Sequence, residues 1–308
     1  MSEQRFNELR TEEVVYAIHR QSRTFLPSED HCPLCPIPPD LRSAGAVETE
    51  IPLPAFEIAV FDNRFPAFEA PHGAAEVVVY TDRHQGSLGT LSPRHAEALM
   101  WVWRQRYQEL GERPDVQYVL IFENRGIEVG ATLHHPHGQI YGYPFLPPVP
   151  KLELAADLRL AGCAACTLLH RELNDGRRVV YENKSVVAYV PYAARWPYEV
   201  HLVVRRHRSS LLECEPIELR LLAEGLQALV RGYDALFAKP FPYVMVLHQA
   251  PTDGRSQGHL HVEFYPPLRT ADKLKYPAGS EQGGGTFVGD TLPEDSARAL
   301  HEAIARAT

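Results

Sequence analysis

The pattern of apolar and polar residues predicts runs of β-strands, with one long helix within each run. In the first half, apolar segments predict strands at 56–63, 75–81, 116–125 and 138–145, and a helix is expected at 92–113. Ser92 can cap this helix and Pro93 can begin it. The second half repeats the order, with strands expected at 177–192, 198–207, 242–251 and 259–267 and a helix at 216–237. Because the strands come in runs, each half is predicted to be α+β, a mostly antiparallel sheet with one packed helix.

Polar landmarks support a duplication of this unit. The first cysteines of the two C-x-x-C pairs are 163−32=131 residues apart, and two pairs of histidines are separated by 207−84=123 and 259−135=124 residues. The nearly constant spacing indicates two copies of one unit. We place the boundary in the proline-containing segment 146–162 and predict domains of 1–150 and 151–308.

Composition narrows the function. The chain has 308 residues, 44% of them hydrophobic, so it can bury a core without disulfides. A net charge of −8 argues against nucleic acid or an anionic membrane as a partner. No apolar run reaches the length of a membrane span and the N-terminus is too polar for a secretory signal, so we expect a cytoplasmic protein. Four of the five cysteines form C-x-x-C pairs, which favours metal ligands or a redox pair in a reducing compartment.

The sequence HHPHGQ, residues 134–139, carries the strongest candidate chemistry. Alternate side chains of a strand share a face, so His135, His137 and Gln139 are expected on one face. A neutral imidazole is a nucleophile near pH 7, and Gly138 would let a phosphate approach the backbone. We therefore predict that His137 attacks a phosphorus atom to form a covalent intermediate and that Gln139 donates to a non-bridging oxygen. The structural alternative is a histidine cluster that only satisfies buried polar groups.

A metal site is predicted beside this strand. Cys32, Cys35, His84 and His135 offer two thiolates and two imidazoles, a complete tetrahedral set for zinc. Four protein ligands leave no position for substrate, so the metal would be structural and would fix the start of the His137 strand. A redox pair is the alternative, although the prolines around Cys35 oppose a helix directly after Cys32.

The repeat predicts a second metal site of the same composition. In register with the first set, the ligands would be Cys163, Cys166, His207 and His259. The alternative is that the two cysteines are small buried side chains of a helix.

Several segments resemble the galactose-1-phosphate uridylyltransferases, a branch of the histidine-triad superfamily. The resemblance runs from about residue 15 to residue 300 and includes CPLC, VFDNRFPAF, FENRGIEVGATLHHPHGQIYGYPFLP, VPYAARWPYEVHL, LHVEFYPP and KLKYPAGSE. It implies two tandem histidine-triad-like repeats and a ping-pong exchange, in which UDP-glucose gives UMP to a histidine and galactose 1-phosphate then accepts it. It also implies a homodimer, because in this family a sugar-binding tail reaches the site of the partner subunit.

The resemblance also assigns roles to residues. His137 matches the family nucleophile, Gln139 its phosphate-contacting glutamine, and the first Cys2His2 set its zinc ligands. The matches to the uridine pocket are Leu34, Phe61, Asn63, Val77, Phe122, Asn124 and Thr132. The matches to arginines near the diphosphate are Arg20 and Arg23, and those to the sugar-binding tail are Lys275, Tyr276 and Glu281. A family metal site of one glutamate and three histidines corresponds to Glu153, His248, His261 and Glu263, with a carboxylate in place of one histidine.

Departures from the family concern the sugar more than the nucleotide. Gly279 and Ser280 precede Glu281 where the family often has a glycine-tyrosine-glutamate sequence, and Phe287 stands where glutamine is often found. A nucleotidyltransferase for another sugar phosphate therefore stays open. The same histidine would serve a dinucleoside polyphosphate hydrolase or phosphorylase, and a zinc-stabilised nucleotide-binding protein is the non-enzymatic alternative.

Overall fold

The first two strands form a hairpin outside the main sheet. The computed structural model describes residues 2–23, 25–27, 32–36, 50–51, 55–254 and 257–307. Within them, β1 (Glu3–Asn7) pairs antiparallel with β2 (Glu12–Tyr16). The side chains of β1 are mostly exposed, so this hairpin lacks the alternation of buried residues that predicts a strand, and it was not expected from the sequence.

A nine-stranded antiparallel sheet forms the centre of the molecule. Its strands are β3 (Ala59–Asp62), β4 (Ala74–Val79), β5 (Tyr118–Arg125), β6 (His137–Tyr143), β7 (Val179–Glu182), β8 (Val186–Tyr189), β9 (Val200–Val204), β10 (Tyr243–His248) and β11 (His261–Tyr265). They lie in the order β3-β4-β6-β5-β10-β11-β9-β8-β7. A small separate pair follows, β12 (Leu268–Thr270) with β13 (Lys273–Leu274).

The two halves contribute strands in the same spatial order. The first half adds β3, β4, β6 and β5 from one edge, and the second adds β8, β9, β11 and β10 from the other, with β7 outside β8. β5 and β10 pair in the centre, where Phe122 lies opposite Val246, and 246−122=124 equals the offset between His135 and His259. The predicted pair of α+β repeats is confirmed, and one sheet joins them. The division at residue 150 stays a proposal.

Five α-helices accompany the sheet in the part of the chain that the structure describes. They are α1 (Pro93–Gly111), α2 (Pro148–Arg159), α3 (Ala164–Asp175), α4 (Pro216–Leu236) and α5 (Pro293–Ala307). Ser92 accepts a hydrogen bond from the backbone N–H of His95 and Pro93 begins α1, as predicted. α5 packs on α4 at Gly232, where a Cβ would overlap Ile304. In the described residues, no helix has both the length and the apolar character needed to cross a membrane.

The two faces of the sheet have different neighbours. The main core lies on one face, where Leu99 and Trp103 of α1 pack with Leu226 of α4 and with strand residues such as Val78. The candidate sites lie on the opposite face, because side chains alternate along each strand. There Val77 packs with Cys32 and Leu34 in the first half, and α3 packs through Leu169 in the second.

Helix α2 occupies the segment that the sequence marks as a boundary. Pro148 and Pro150 lie in its first turn, where the missing N–H groups of proline need no partner within the helix. Prolines that interrupt a strand pattern can thus begin a helix.

Candidate active site and metal clusters

His137 is the first residue of β6, opposite Val79 of β4. Its Nδ1 lies 2.7 Å from the backbone carbonyl oxygen of His135. Because a carbonyl only accepts, Nδ1 carries the proton and Nε2 keeps its lone pair. Burial lowers the pKa of His137 below its usual range, and the hydrogen bond to His135 opposes this shift only in part. The ring is therefore neutral, with Nε2 free for nucleophilic attack.

Gln139 lies on the same face, two residues along β6. Its Oε1 accepts from Asn63 Nδ2 at 3.3 Å and from the Tyr141 hydroxyl at 3.4 Å. Since both bonds use the oxygen, the amide NH2 group is left to donate to a ligand. Arg20 Nη1 donates to the Tyr141 hydroxyl at 3.1 Å, so one hydrogen-bonded chain joins the arginine to the amide.

The apolar residues predicted for the uridine pocket surround Gln139. In the sheet, Val77 lies opposite Gln139 on one side and Phe122 lies opposite it on the other. Phe61 lies opposite Val77 and packs with Leu34, which is fully buried. The structure thus brings these side chains into one wall beside the amide.

Two further pocket residues lie where the strands end. Asn124 and His137 line a cavity of about 510 Å³ where β5 ends and β6 begins. Thr132 lies in the loop before β6, and its carbonyl accepts from the N–H of Leu26 at 2.8 Å.

The residues predicted near the diphosphate and those predicted for the sugar-binding tail form two groups. Arg23 Nε donates to the Arg20 carbonyl at 3.2 Å, and burial together with the charge of Arg20 lowers the pKa of Arg23. In the tail, Lys275 and Glu281 form an ion pair of 3.5 Å, while Tyr276 is 71% exposed. Backbone N–H groups of the same tail also bind Glu281 and lower its pKa to about 2.

The first Cys2His2 set forms a compact cluster. Cys35 Sγ lies 3.4 Å from Nδ1 of both His84 and His135, and Cys32 Sγ lies 3.9 Å from Nδ1 of His135. Tetrahedral zinc with ordinary bond lengths separates sulfur and nitrogen ligands by about 3.5 Å. His135 Nε2 donates to the Thr81 carbonyl at 2.7 Å, which fixes the tautomer that turns a lone pair toward the thiols. These residues fit a structural metal.

The second Cys2His2 set repeats this geometry. Cys166 Sγ lies 3.2 Å from His259 Nδ1 and 3.6 Å from His207 Nδ1, and Cys163 Sγ lies 3.5 Å from His259 Nδ1. His259 Nε2 donates to the Val204 carbonyl at 2.7 Å. Both cysteines are partly exposed at the start of α3, which disagrees with the alternative of small buried core residues.

A third cluster lies where the second half would carry its nucleotide pocket. One donor atom from each of Glu153, His248, His261 and Glu263 lies within 4.8 Å of the others. The four groups therefore stay close together although Glu263 stands where the family has a histidine. Two imidazoles with two carboxylates suit a divalent transition metal. His201 adds a contact, with Nε2 at 3.1 Å from Glu263 Oε1. Sequence reasoning missed His201, although the repeat places it opposite Glu263 as Val77 lies opposite Gln139.

The geometry defines a class first: a duplicated α+β protein with a neutral histidine beside a donor amide and a Cys2His2 cluster in each half. The family model described as galactose-1-phosphate uridyl transferase, N-terminal domain, matches residues 57–147, and the corresponding C-terminal domain model matches residues 154–302. The chain belongs to the galactose-1-phosphate uridylyltransferase family.

Individual relatives agree over nearly the whole chain. The galactose-1-phosphate uridylyltransferase of Thermotoga maritima is 37% identical over 98% of this chain and 98% of its own length. The galactose-1-phosphate uridylyltransferase of Rattus norvegicus is 30% identical over 96% of this chain and 86% of its own length. A solved structure of a uridylyltransferase superposes with a TM-score of 0.85 at 30% identity and covers 99% of both chains. A solved ADP-glucose phosphorylase from Arabidopsis thaliana, with a TM-score of 0.74 at 20% identity over 98% of this chain and 99% of its own, shares the fold.

Proposed function

We propose that this protein is a UDP-glucose–hexose-1-phosphate uridylyltransferase, a transferase of galactose metabolism that exchanges UMP between UDP-glucose and galactose 1-phosphate. The observation that carries the proposal is the pair formed by His137 and Gln139. The imidazole keeps Nε2 free because Nδ1 donates to a carbonyl, and the amide keeps its NH2 group free because its oxygen is occupied.

The first half-reaction forms the covalent intermediate. His137 Nε2 attacks the α-phosphorus of UDP-glucose, a nitrogen–phosphorus bond forms, and the bond to the bridging oxygen breaks. The electron pair of that bond leaves with glucose 1-phosphate. Gln139 donates to a non-bridging oxygen, where negative charge is redistributed in the transition state. Nδ1–H remains bonded to the His135 carbonyl throughout, so the ring needs no separate base.

The second half-reaction reverses these bonds with a different acceptor. A phosphate oxygen of galactose 1-phosphate attacks the same phosphorus, and the nitrogen–phosphorus bond breaks to return a neutral His137. The two half-reactions use the same site in turn, so the exchange is expected to show ping-pong kinetics.

Zinc would occupy the two Cys2His2 clusters, where it would cross-link a loop to a strand without taking part in the reaction. The first cluster matters for catalysis through His135, which offers Nδ1 to the metal and its carbonyl to His137. The second cluster repeats this link at His259, whose carbonyl accepts from His261 Nδ1 at 2.6 Å.

The exchange assay tests the activity. Purified protein incubated with UDP-glucose and galactose 1-phosphate should form UDP-galactose and glucose 1-phosphate, with initial rates that follow parallel double-reciprocal lines. Release of UMP to water at the same rate without acceptor would favour a hydrolase, and release of UDP by inorganic phosphate would favour a phosphorylase. Either outcome would contradict the proposed exchange.

Another sugar phosphate is the second candidate acceptor. Phe287 packs against the ring of Trp196, with centroids 6.0 Å apart, and Arg195 lies over the Phe287 ring at 5.7 Å. An aromatic ring there cannot make the hydrogen bonds of the glutamine that the family often carries. A panel of hexose 1-phosphates, compared by kcat/KM, decides which acceptor the site prefers.

The proposed homodimer, with a cytoplasmic location, gives the tail a role. The ion pair of Lys275 and Glu281 folds the tail, while Tyr276 stays exposed and available to a partner. We expect Tyr276→Ala to be poorly active alone and His137→Ala to be inactive alone. Mixed after reversible dissociation, they should recover activity, because one site in the mixed dimer then has both intact groups. No recovery, together with a monomeric mass by light scattering, would contradict the dimer.

A further inference from the structure

A buried polar cluster lies behind the His137 strand. Glu123 is 4% exposed, and Tyr80 and Tyr243 are fully buried. The Tyr243 hydroxyl donates to Glu123 Oε1 at 3.0 Å, whereas Glu123 Oε2 and the Tyr80 hydroxyl make no geometrically defined hydrogen bond in the described part of the chain. Tyr80 and Glu123 nevertheless lie close enough to shift each other's pKa, and burial together with the charge of Glu123 raises the pKa of Tyr80. Burying a carboxyl group and two phenols costs stability, so such clusters persist mainly where they serve a function.

This cluster touches the backbone between the two proposed reactive residues. Gly138 turns toward the core, and a Cβ there would overlap the Tyr80 hydroxyl. The N–H of Tyr80 also donates to the Pro136 carbonyl at 3.0 Å. Tyr80 therefore contacts the chain on both sides of His137, and Glu123 lines the same cavity as His137.

The second half shows that the fold does not require these polar groups. With the offset of 124, Tyr80, Glu123 and Gly138 correspond to Val204, Leu247 and Val262. The register supports the match, because Gly138 pairs with Val78 as Val262 pairs with Leu202. The sheet and the packed helix recur, yet the counterparts of Tyr80 and Glu123 are apolar; Tyr243 comes from the second half, and its first-half counterpart is Val119 (243−124=119). The buried carboxyl of Glu123 and the phenol of Tyr80 thus accompany the strand of His137 and not that of His261.

An ion pair with a neighbouring cation does not explain why Glu123 is buried either. Arg125, two residues along β5, makes two hydrogen bonds with Asp234 of α4, at 2.7 and 3.0 Å, so its charge is already compensated. Burial raises the pKa of Glu123 to about 7, and the charge of Arg125 opposes the shift. The other ionisable groups that face it are Tyr80, Tyr243 and Asp234.

We propose that Glu123 is a positioning residue for uridylyl transfer: with Tyr243 it holds the Tyr80 hydroxyl against Gly138 and so fixes the backbone that orients His137 and Gln139. This inference rests on the proposed function. When Glu123 is ionised, its charge also favours the positive ring that forms when the imidazole of His137 carries UMP. Transfer should therefore become faster as Glu123 loses its proton.

The test is the rate at which UDP-glucose alone labels the protein with UMP, followed by rapid quench and intact mass. Glu123→Gln keeps the shape but removes the charge. We expect labelling to slow by about tenfold or more, since small misplacement of reacting groups costs that much. The dissociation constant of UDP-glucose should change less than about twofold, and the rise in rate near pH 7 should disappear. Glu218→Gln is the matched control, a buried carboxyl of α4 that pairs with Arg208 away from β6.

A second variant separates positioning from stability. Tyr80→Phe/Glu123→Leu/Tyr243→Phe replaces the cluster by apolar groups. We expect it to melt at or above the parent temperature, because no carboxyl is then buried, and yet to label as slowly as Glu123→Gln. If either folded variant labels at the parent rate, the positioning role is wrong. If the parent itself gains no UMP, the proposed function fails first.

Discussion

The two halves hold corresponding histidines by the same backbone hydrogen bond and yet shift their pKa values in opposite directions. His137 Nδ1 lies 2.7 Å from the His135 carbonyl and His261 Nδ1 lies 2.6 Å from the His259 carbonyl. Burial lowers the pKa of His137. Burial also opposes protonation of His261, but the hydrogen bond that its ring donates to Glu263 and the charges of nearby carboxylates raise its pKa to about 9.

The difference comes from the neighbours on the same face of the sheet. Gln139 beside His137 is uncharged, whereas its counterpart Glu263 lies 3.5 Å from His261 Nε2. An imidazole that is protonated, or bound to a metal in the third cluster, has no free lone pair at Nε2, so it cannot attack phosphorus. The repeat thus supplies the scaffold and the Cys2His2 cluster twice, and a few side chains decide which half can react.

The largest expected effect is at the histidines themselves. His137→Ala should lose uridylyl exchange entirely, because it removes the proposed nucleophile, while His261→Ala should keep it. The assay is formation of UDP-galactose, with circular dichroism to confirm that both variants fold. Equal losses in the two variants would remove the distinction between the halves.

Gln139 should show the next largest effect. Gln139→Glu places a carboxylate against the phosphate oxygens, so repulsion adds to the lost hydrogen bond and the exchange rate should fall by ~10² or more. The dissociation constant of UDP-glucose should change much less than the rate. Glu263→Gln makes the reverse change in the second half and should leave exchange near the parent rate. Parent-like exchange in Gln139→Glu would rule out the role assigned to this amide.

Zinc content and UMP labelling together distinguish the two Cys2His2 clusters. Cys163→Ser/Cys166→Ser should lose about one zinc per chain and melt at a lower temperature, since each four-ligand set holds one ion. Labelling by UDP-glucose should persist at a temperature where this variant is folded. Cys32→Ser/Cys35→Ser should lose a similar amount of zinc and also most labelling, because His135 then no longer holds the carbonyl that orients His137. Unchanged zinc in the first variant would refute the second site.

The smallest effect concerns pH and stability. The pKa of Glu123 is about 7 in the folded chain, above its ordinary value of 4.5. The folded state therefore keeps a proton that the unfolded state has lost, and stability should decline as pH rises from about 4.5 to about 7. Glu123→Gln should lack this pH-dependent contribution. The melting temperature of the variant relative to that of the parent should therefore increase as pH rises from about 4.5 to about 7. Parallel melting curves would show that Glu123 is ionised throughout.

The sequence predicted what depends on local pattern. Alternating apolar residues located the strands of both repeats, and the spacing of cysteines and histidines predicted both Cys2His2 clusters, which the structure brings together. Helix α2 was not predicted, because its prolines also fit a boundary between two domains. His201 and Glu123 were not predicted as site residues, because their roles depend on neighbours contributed by other strands of the sheet. The signal for Glu123 was a carboxylate directly after the apolar run VLIF, and the apolar counterpart Leu247 would have sharpened it.

The most direct test of the contrast between the halves is to locate the UMP group. The protein is incubated with UDP-glucose alone, digested, and mapped by mass spectrometry under mildly basic conditions that preserve a nitrogen–phosphorus bond. We predict one UMP per chain on His137, and its loss as UDP-galactose when galactose 1-phosphate is added. A UMP group on His261, or exchange without any covalent UMP, would contradict the account.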